Sequence, residues 1–150
     1  LPDDFFHTVQ SRTYQAIRDE LQAIPGVRAA IEAIPLPRCV ASSSEPEKIA
    51  LSLTTTGLAP LFEGRLYSAS QVARGKPFPD LFFHAAAQMG IEPGNCVVVE
   101  DSPYGAAAAR AAGMAVLGYT GSGFADKLTD EGAEIFDTMA DLPGLLGFPP

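Results

Sequence analysis

Three short apolar segments of the sequence each lead into polar residues that could bind or transfer a phosphoryl group. These residues are Ser42, Ser43 and Ser44 after the first segment, Lys76 after the second, and Glu100 and Asp101 after the third. If the three segments are parallel strands of one sheet, their carboxyl ends meet at one edge, where ligands of open α/β sheets bind. The sequence therefore predicts that hydroxyl, ammonium and carboxylate groups share one site.

The serine cluster is typical of a loop that binds an anion. Hydroxyls and unpaired backbone amides at a helix N-terminus favour phosphate, and the helix dipole adds to this preference. Ser42 is the leading candidate. An alternative interpretation is that the serines only cap the following helix, because Ser44 and Glu47 have the S-x-x-E spacing of a capping box.

Lys76 stands between Gly75 and Pro77 in the segment G-K-P-F-P-D. The neighbouring residues restrict the backbone, so the ammonium group could act as a fixed point charge for an anionic substrate. The alternative is an ordinary exposed lysine in a loop.

Glu100 and Asp101 directly follow the apolar run Cys96 to Val99. Carboxylates at the end of a buried strand must reach solvent or meet a cation. Hard oxygen ligands of this kind suit Mg²⁺, which shares its ligands with substrate phosphates. The alternative is that Asp101 or Ser102 caps the next helix while Glu100 is solvated.

Taken together, a phosphate-binding loop, a lysine and a pair of Mg²⁺ carboxylates are the groups that phosphoryl transfer requires. In that reaction catalysis consists mainly of positioning and charge stabilisation. The sequence thus favours an enzyme that acts on phosphate esters over a protein with only a structural role.

The elements that position these residues alternate between strands and helices. Two helices come first, one over residues 5–24 and one starting at Val27, followed by strands at 38–41, 66–68, 96–99 and 115–119 and by a weaker helix and strand within 125–136. The repeated alternation of strands and helices predicts an α/β fold with a parallel, Rossmann-like sheet. The continuous apolar run 96–99 further predicts a strand buried on both faces.

Composition limits the range of functions. The chain has 150 residues and a formal charge of −8, which excludes a basic surface for nucleic acid or anionic membranes. Its apolar runs are far shorter than the roughly 20 residues of a membrane span, and the first six residues lack the basic start of a signal peptide. Cys39 and Cys96 have no C-x-x-C spacing, so we expect free, buried thiols in a reducing cytoplasm.

The order V-A-S-S-S, G-K-P-F-P-D and V-V-V-E-D-S-P-Y-G resembles the second, third and fourth motifs of the haloacid dehalogenase-like hydrolases, and most closely the branch of phosphoglycolate phosphatase and β-phosphoglucomutase. The resemblance implies a Mg²⁺-dependent phosphatase of a small phosphorylated metabolite, such as a sugar phosphate or phosphoglycolate. It also implies roles for the site residues. Ser42 would hydrogen-bond the transferring phosphoryl group, and Lys76 would neutralise the charge of that group and of the nucleophile. Ser43 and Ser44 would contact phosphate. Glu100 and Asp101 would hold Mg²⁺.

One part of the family pattern has no counterpart here. The family's nucleophile is an aspartate in a D-x-D motif that ends an N-terminal strand, whereas Asp3-Asp4 lacks both that spacing and a preceding apolar strand. We expect Asp3-Asp4 to begin the first helix. By the resemblance, residues 1–24 are a remnant of a helical cap, residues 25–150 are the C-terminal part of the α/β core, and the missing strand lies between those of Ser42 and Glu100. The 150 residues alone are expected to be inactive.

The same residues are also compatible with other functions. A β-phosphoglucomutase-like phosphomutase would use the same groups, and a non-catalytic phosphate-binding module would need no nucleophile. Dehalogenase chemistry has no use for Mg²⁺, so the pair Glu100 and Asp101 counts against it. A two-component receiver domain has its acidic pair first and its lysine last, the reverse of the order found here.

Overall fold

Short parallel strands alternate with helices along most of the chain. The computed structural model describes residues 5–148, so the predicted role of Asp3-Asp4 lies outside the described residues. The helices are α1 (Phe5–Glu20), α2 (Val27–Glu32), α3 (Pro46–Thr55), α4 (Asp80–Met89), α5 (Pro103–Ala111), α6 (Ala125–Asp130) and α7 (Leu142–Leu145). The strands are β1 (Val40–Ser42), β2 (Leu66–Ser68), β3 (Val97–Glu100), β4 (Ala115–Tyr119) and β5 (Glu134–Phe136). The predicted α/β class with parallel strands is confirmed.

The strands within residues 5–148 form two parallel sheets rather than one. The first has the order β1-β2 and the second the order β3-β4-β5. Ser42 pairs with Ser68 at the end of the first sheet, and Glu100 pairs with Gly118 in the second. The carboxyl ends of β1, β2 and β3 therefore carry the candidate residues, as the sequence predicts.

A cavity of about 500 Å³ separates the two sheets. Residues of both β1 and β3 line it, and each strand has a neighbour on only one side within the described residues. Val97 and Val99 are 46% and 42% exposed, so the prediction that this strand is buried on both faces is wrong. The reason is the cavity, which leaves one face of β3 without packing atoms.

The main core lies between α5 and the second sheet. The alanine-rich helix places Ala106, Ala108 and Ala109 fully out of solvent, against Val116 and the buried Leu128. Small side chains allow the helix to approach the sheet closely. Burial of a leucine such as Leu128 contributes about 2–3 kcal/mol of stabilisation, so this packing holds the loop after β3 in place.

Two helix boundaries differ from the sequence prediction. Helix α1 ends at Glu20, short of the predicted Ile24; Pro25 disfavours helical angles at Ile24, which is 40% exposed. Pro46 is the first residue of α3 and forces Glu45 into an extended conformation, which makes Glu45 the N-cap. The predicted capping box of Ser44 is therefore wrong.

The two cysteines are free, as predicted, although both are only partly buried. They line the cavity at the starts of β1 and β3. Burial raises the pKa of the Cys39 thiol, an effect that the charge of Cys96 reinforces, and burial also raises the pKa of Cys96. Both thiols are consequently poor nucleophiles at neutral pH.

None of the helices in residues 5–148 is long and apolar enough to cross a membrane.

Candidate functional site

Lys76, in the loop after β2, connects the carboxyl ends of β1 and β3. Its ammonium group donates to the Ala41 carbonyl at 3.2 Å and to the Glu100 carboxylate at Oε1. The Lys76 and Glu100 side chains are only 10% and 9% exposed, and the ammonium lies 5.1 Å from the centre of the Phe82 ring. The structure thus excludes the alternative of an ordinary exposed lysine.

Glu100 is held by its own loop as well as by Lys76. Its Oε2 atom accepts hydrogen bonds from the Asp101 amide at 3.2 Å, from the Ser102 amide at 3.2 Å and from the Ser102 hydroxyl at 3.0 Å. Ser102 also accepts from the Gly105 amide at 3.1 Å and so caps α5. The alternative interpretation was therefore right about the Ser102 cap and wrong about a solvated Glu100.

Gly105 makes room for this carboxylate. A Cβ atom at position 105 would lie 2.0 Å from the Glu100 Cδ atom, far inside van der Waals contact. Only glycine allows the N-terminus of α5 to pass so close to the Glu100 side chain. The Gly in E-D-S-P-Y-G is thus a site residue that the sequence analysis missed, and its spacing of five residues from Glu100 is the signal that could have revealed it.

The serine loop is folded back on itself between β1 and α3. The Ser44 amide donates to the Ser42 hydroxyl oxygen at 3.1 Å, while Ser43 is exposed between them. Ser42 directly follows Ala41, whose carbonyl binds Lys76. The loop therefore lies next to the lysine, with the N-terminus of α3 behind it.

Asp101 differs from Glu100 in being exposed to solvent. Its carbonyl accepts a hydrogen bond of 2.7 Å from the Ser122 hydroxyl, which belongs to the loop after β4. This contact fixes the backbone of Asp101 and leaves its carboxylate at the surface of the site.

A second ion pair closes the loop around Lys76. The Arg74 guanidinium donates to both carboxylate oxygens of Asp80, at 3.1 and 2.8 Å, and stacks 4.5 Å from the centre of the Phe78 ring. Hydrogen bonding to Arg74 lowers the pKa of Asp80. This pair was not predicted from the sequence, although both residues flank G-K-P-F-P and a spacing of six residues is short enough for an ion pair that closes a loop.

The donors present suit Mg²⁺ only in part. Within residues 5–148, no group of three or more His, Cys, Asp or Glu side chains is placed to hold a metal ion. Mg²⁺ usually keeps several waters and takes one or two carboxylates together with substrate phosphates. The exposed carboxylate of Asp101 fits that role, whereas the Glu100 carboxylate is engaged by Lys76 and its own loop.

Known proteins with similar sequences and structures share this architecture. The sequence matches the haloacid dehalogenase-like hydrolase family over residues 2–113. It is 31% identical to 6-phosphogluconate phosphatase of Escherichia coli over 139 residues, which cover 93% of this chain and 63% of that protein. The chain thus spans less than two thirds of the length of this relative.

Two crystal structures are closely similar. A conserved haloacid dehalogenase-like protein of unknown function from Agrobacterium tumefaciens is 39% identical and superimposes with a TM-score of 0.88, over 98% of this chain and 70% of that one. A hydrolase of the same family from Deinococcus radiodurans, with bound phosphate and sodium, is 35% identical with a TM-score of 0.86, over 97% of this chain and 68% of that one.

Proposed function

Because this chain belongs to the haloacid dehalogenase-like hydrolase family, we propose that it forms the larger part of a Mg²⁺-dependent phosphatase of small phosphorylated metabolites. The observation that supports this most strongly is the position of Lys76. Its ammonium group bonds to the carbonyl beside Ser42 and to the carboxylate beside Asp101. The buried ammonium group of Lys76 thus connects the residues around Ser42 and Asp101 with its own loop in a single site.

The phosphoryl group would be bound mainly by this chain. Ser42 and Lys76 would contact the transferring group, and the Ser43 amide together with the hydroxyls of Ser43 and Ser44 would bind the remaining phosphate oxygens. The helix dipole of α3 adds to this binding, because its N-terminus is positive. These contacts gain strength as negative charge builds up on the phosphoryl oxygens in the transition state.

A strand supplied by a further segment would bring the nucleophile. Two observations support this. The chain spans 63% of the length of its E. coli relative, and the cavity between the sheets is bordered by β1 and β3, two parallel strands that each lack a neighbour on that side within the described residues. A parallel strand placed there would pair with both, and its carboxyl end would reach Lys76.

The proposed reaction has two steps. An aspartate carboxylate at the end of that strand attacks phosphorus and forms a bond between carboxylate oxygen and phosphorus, while the ester bond breaks and the second aspartate of the D-x-D motif gives its proton to the alcohol oxygen. Water then gives a proton to that second aspartate as it attacks the phosphorus of the phosphoaspartate, and the bond between phosphorus and the first aspartate breaks to release inorganic phosphate and the free carboxylate. Lys76 neutralises negative charge in both steps.

Asp101 would hold the Mg²⁺ ion, with Glu100 as a second ligand once Lys76 binds another carboxylate. When bound, the ion would stabilise charge on the phosphoryl oxygens. Nearby, the ion pair between Arg74 and Asp80 would keep the Lys76 loop in the shape that binds substrate.

Relatives support the substrate class, and the domain assignment follows from the resemblance of the sequence to the family. The E. coli relative is a 6-phosphogluconate phosphatase, which supports a sugar phosphate or a similar small phosphate ester as substrate. Residues 1–24 would be the remnant of a helical cap, and residues 25–150 the C-terminal part of the α/β core. The two free thiols support a reducing compartment, so we propose the cytoplasm as the location.

Hydrolysis of p-nitrophenyl phosphate tests the proposal. The natural polypeptide that contains this chain should release nitrophenol only when Mg²⁺ is present, and Asp101→Ala should lower the rate by about 10²–10³-fold, as loss of a transition-state charge contact does. Asp126→Ala, which removes an exposed carboxylate on α6, is the matched control and should leave the rate unchanged. Full activity in Asp101→Ala would refute the proposed function.

A further inference from the structure

Ser68 is a buried hydroxyl at the end of β2, where it is 1% exposed. Its Oγ atom donates to the Ser44 carbonyl at 2.7 Å, accepts from the Ser70 amide at 3.2 Å and lies 2.9 Å from the Ser70 hydroxyl. A hydroxyl can donate once and accept twice, so these contacts use its full capacity. A polar group this deeply buried is costly unless it is fully bonded.

The bond to Ser44 fixes the serine loop to the end of β2, the strand that pairs with β1. The Ser44 amide is already held by the Ser42 hydroxyl at 3.1 Å, and its carbonyl is held by Ser68. Both backbone polar groups of Ser44 are thus hydrogen-bonded. The exposed Ser43 lies between Ser42 and Ser44, whose positions these bonds hold. The loop is held in one shape before any ligand arrives.

Ser68 also begins the segment that leads to Lys76. Its amide donates to the Gln71 side chain at 2.7 Å, which completes a capping box around the short 3₁₀ turn Ala69–Gln71. Gly75 packs against this turn, since a Cβ atom there would lie 3.7 Å from the Ala69 Cβ atom. The residue that holds the serine loop therefore also organises the approach to the lysine.

We infer that Ser68 is a positioning residue that ties the phosphate loop to the lysine loop. This inference rests on the proposed function, because it assumes that residues 42–44 bind phosphate. Ser68 itself is buried behind the loop and acts through the Ser44 carbonyl. Its removal is expected to weaken phosphate binding by freeing the loop, without loss of any direct contact to phosphate.

The experiment is a titration of the ¹⁵N-labelled natural polypeptide that contains this chain with inorganic phosphate, followed by the amide resonances of Ser43 and Ser44. Ser68→Ala should raise the dissociation constant about fivefold, the effect of one lost hydrogen bond. Ser68→Cys is nearly the same size, keeps only a weak donor and should weaken binding in the same direction. Thermal unfolding of each variant shows that it is folded at the titration temperature.

Thr138→Ala is the matched control. The Thr138 hydroxyl caps a different 3₁₀ turn by accepting a hydrogen bond from the Ala140 amide, so removal of this hydroxyl should leave phosphate affinity unchanged. Wild-type affinity in both folded Ser68 variants would overturn the inference and leave the proposed function intact. Absence of a phosphate response at Ser43 and Ser44 in the wild-type chain would instead contradict the proposed phosphate site itself.

Discussion

The ion pair between Lys76 and Glu100 gives the most quantitative test of the site. Both side chains are about nine tenths buried, so solvent screens their charges weakly. Two unit charges about 4 Å apart attract by about 4 kcal/mol at an effective dielectric constant near 20, and desolvation offsets a large part of this. We therefore expect a coupling free energy of about 1–3 kcal/mol between the two residues.

Lys76→Met removes the ammonium but keeps an unbranched side chain beside the Phe82 ring. It leaves the Glu100 carboxylate buried with only its loop donors, which should cost about 2–3 kcal/mol, below the usual range for a buried charge without a partner. Adding Glu100→Gln removes that charge and should restore part of the lost stability. Urea unfolding of the natural polypeptide that contains this chain, followed by circular dichroism at pH 7, gives the four free energies of the cycle.

The exposed pair of Arg28 and Glu32 is the control. These residues form an i,i+4 salt bridge with side chains 50% and 52% exposed, for which a coupling of about 0.3–0.5 kcal/mol is expected. A coupling between Lys76 and Glu100 no larger than that of the control would refute the reasoning, because the pair would then not be held together in solution.

Three further predictions concern the surroundings of this pair. Gly105→Ala should displace the Glu100 carboxylate, since the added Cβ would overlap it, and a crystal structure of the variant with Glu100 unmoved would contradict this account. Asp80 should titrate below its ordinary pKa of 3.8 because of Arg74, so its stabilising contribution is complete above that pH and is lost as pH falls through the lowered value. In NMR titration, Arg74→Gln should raise the Asp80 midpoint, and an unchanged midpoint would show that the pair does not form. The Cys39 thiol should react with iodoacetamide more slowly at pH 8 than free cysteine does, because its pKa is raised above 9.0, and equal rates would show that it is not buried.

The sequence was sufficient to predict the elements where periodicity, glycine and proline agree. The predicted strands at 66–68 and 115–119 match β2 and β4. Gly90 ends helix α4 with a positive φ of 67°, a conformation that glycine adopts at little cost. Local signals of this kind depend only on neighbouring residues.

Other features required knowledge of tertiary contacts. The run Val97 to Val99 has the composition of a strand buried on both faces, yet the cavity exposes one face. Ser44 fits a capping box by spacing, but α3 begins at Pro46 with Glu45 as its N-cap. The Ser44 carbonyl instead accepts a hydrogen bond from the Ser68 hydroxyl. Neither outcome follows from residue types in a local window.

The site was predicted by residue type but not by its internal bonding. Sequence reasoning placed Lys76 and Glu100 at one sheet edge, and the structure brings them into contact. It assigned Glu100 to a metal, whereas the structure shows its carboxylate bonded to Lys76 and to the amides of residues 101 and 102. Which partner a buried carboxylate takes depends on three-dimensional distances that spacing along the chain does not determine.

The central claim is that this chain supplies the phosphate-binding groups of a phosphatase whose nucleophile lies on a further strand. The most direct test is the intact mass of the natural polypeptide, followed by its hydrolysis of p-nitrophenyl phosphate beside that of the 150-residue chain alone. We predict a mass well above 15.8 kDa, Mg²⁺-dependent turnover by the natural polypeptide, and none by the isolated chain. A natural polypeptide of 15.8 kDa that is folded and inactive, or turnover by the isolated chain, would contradict the claim.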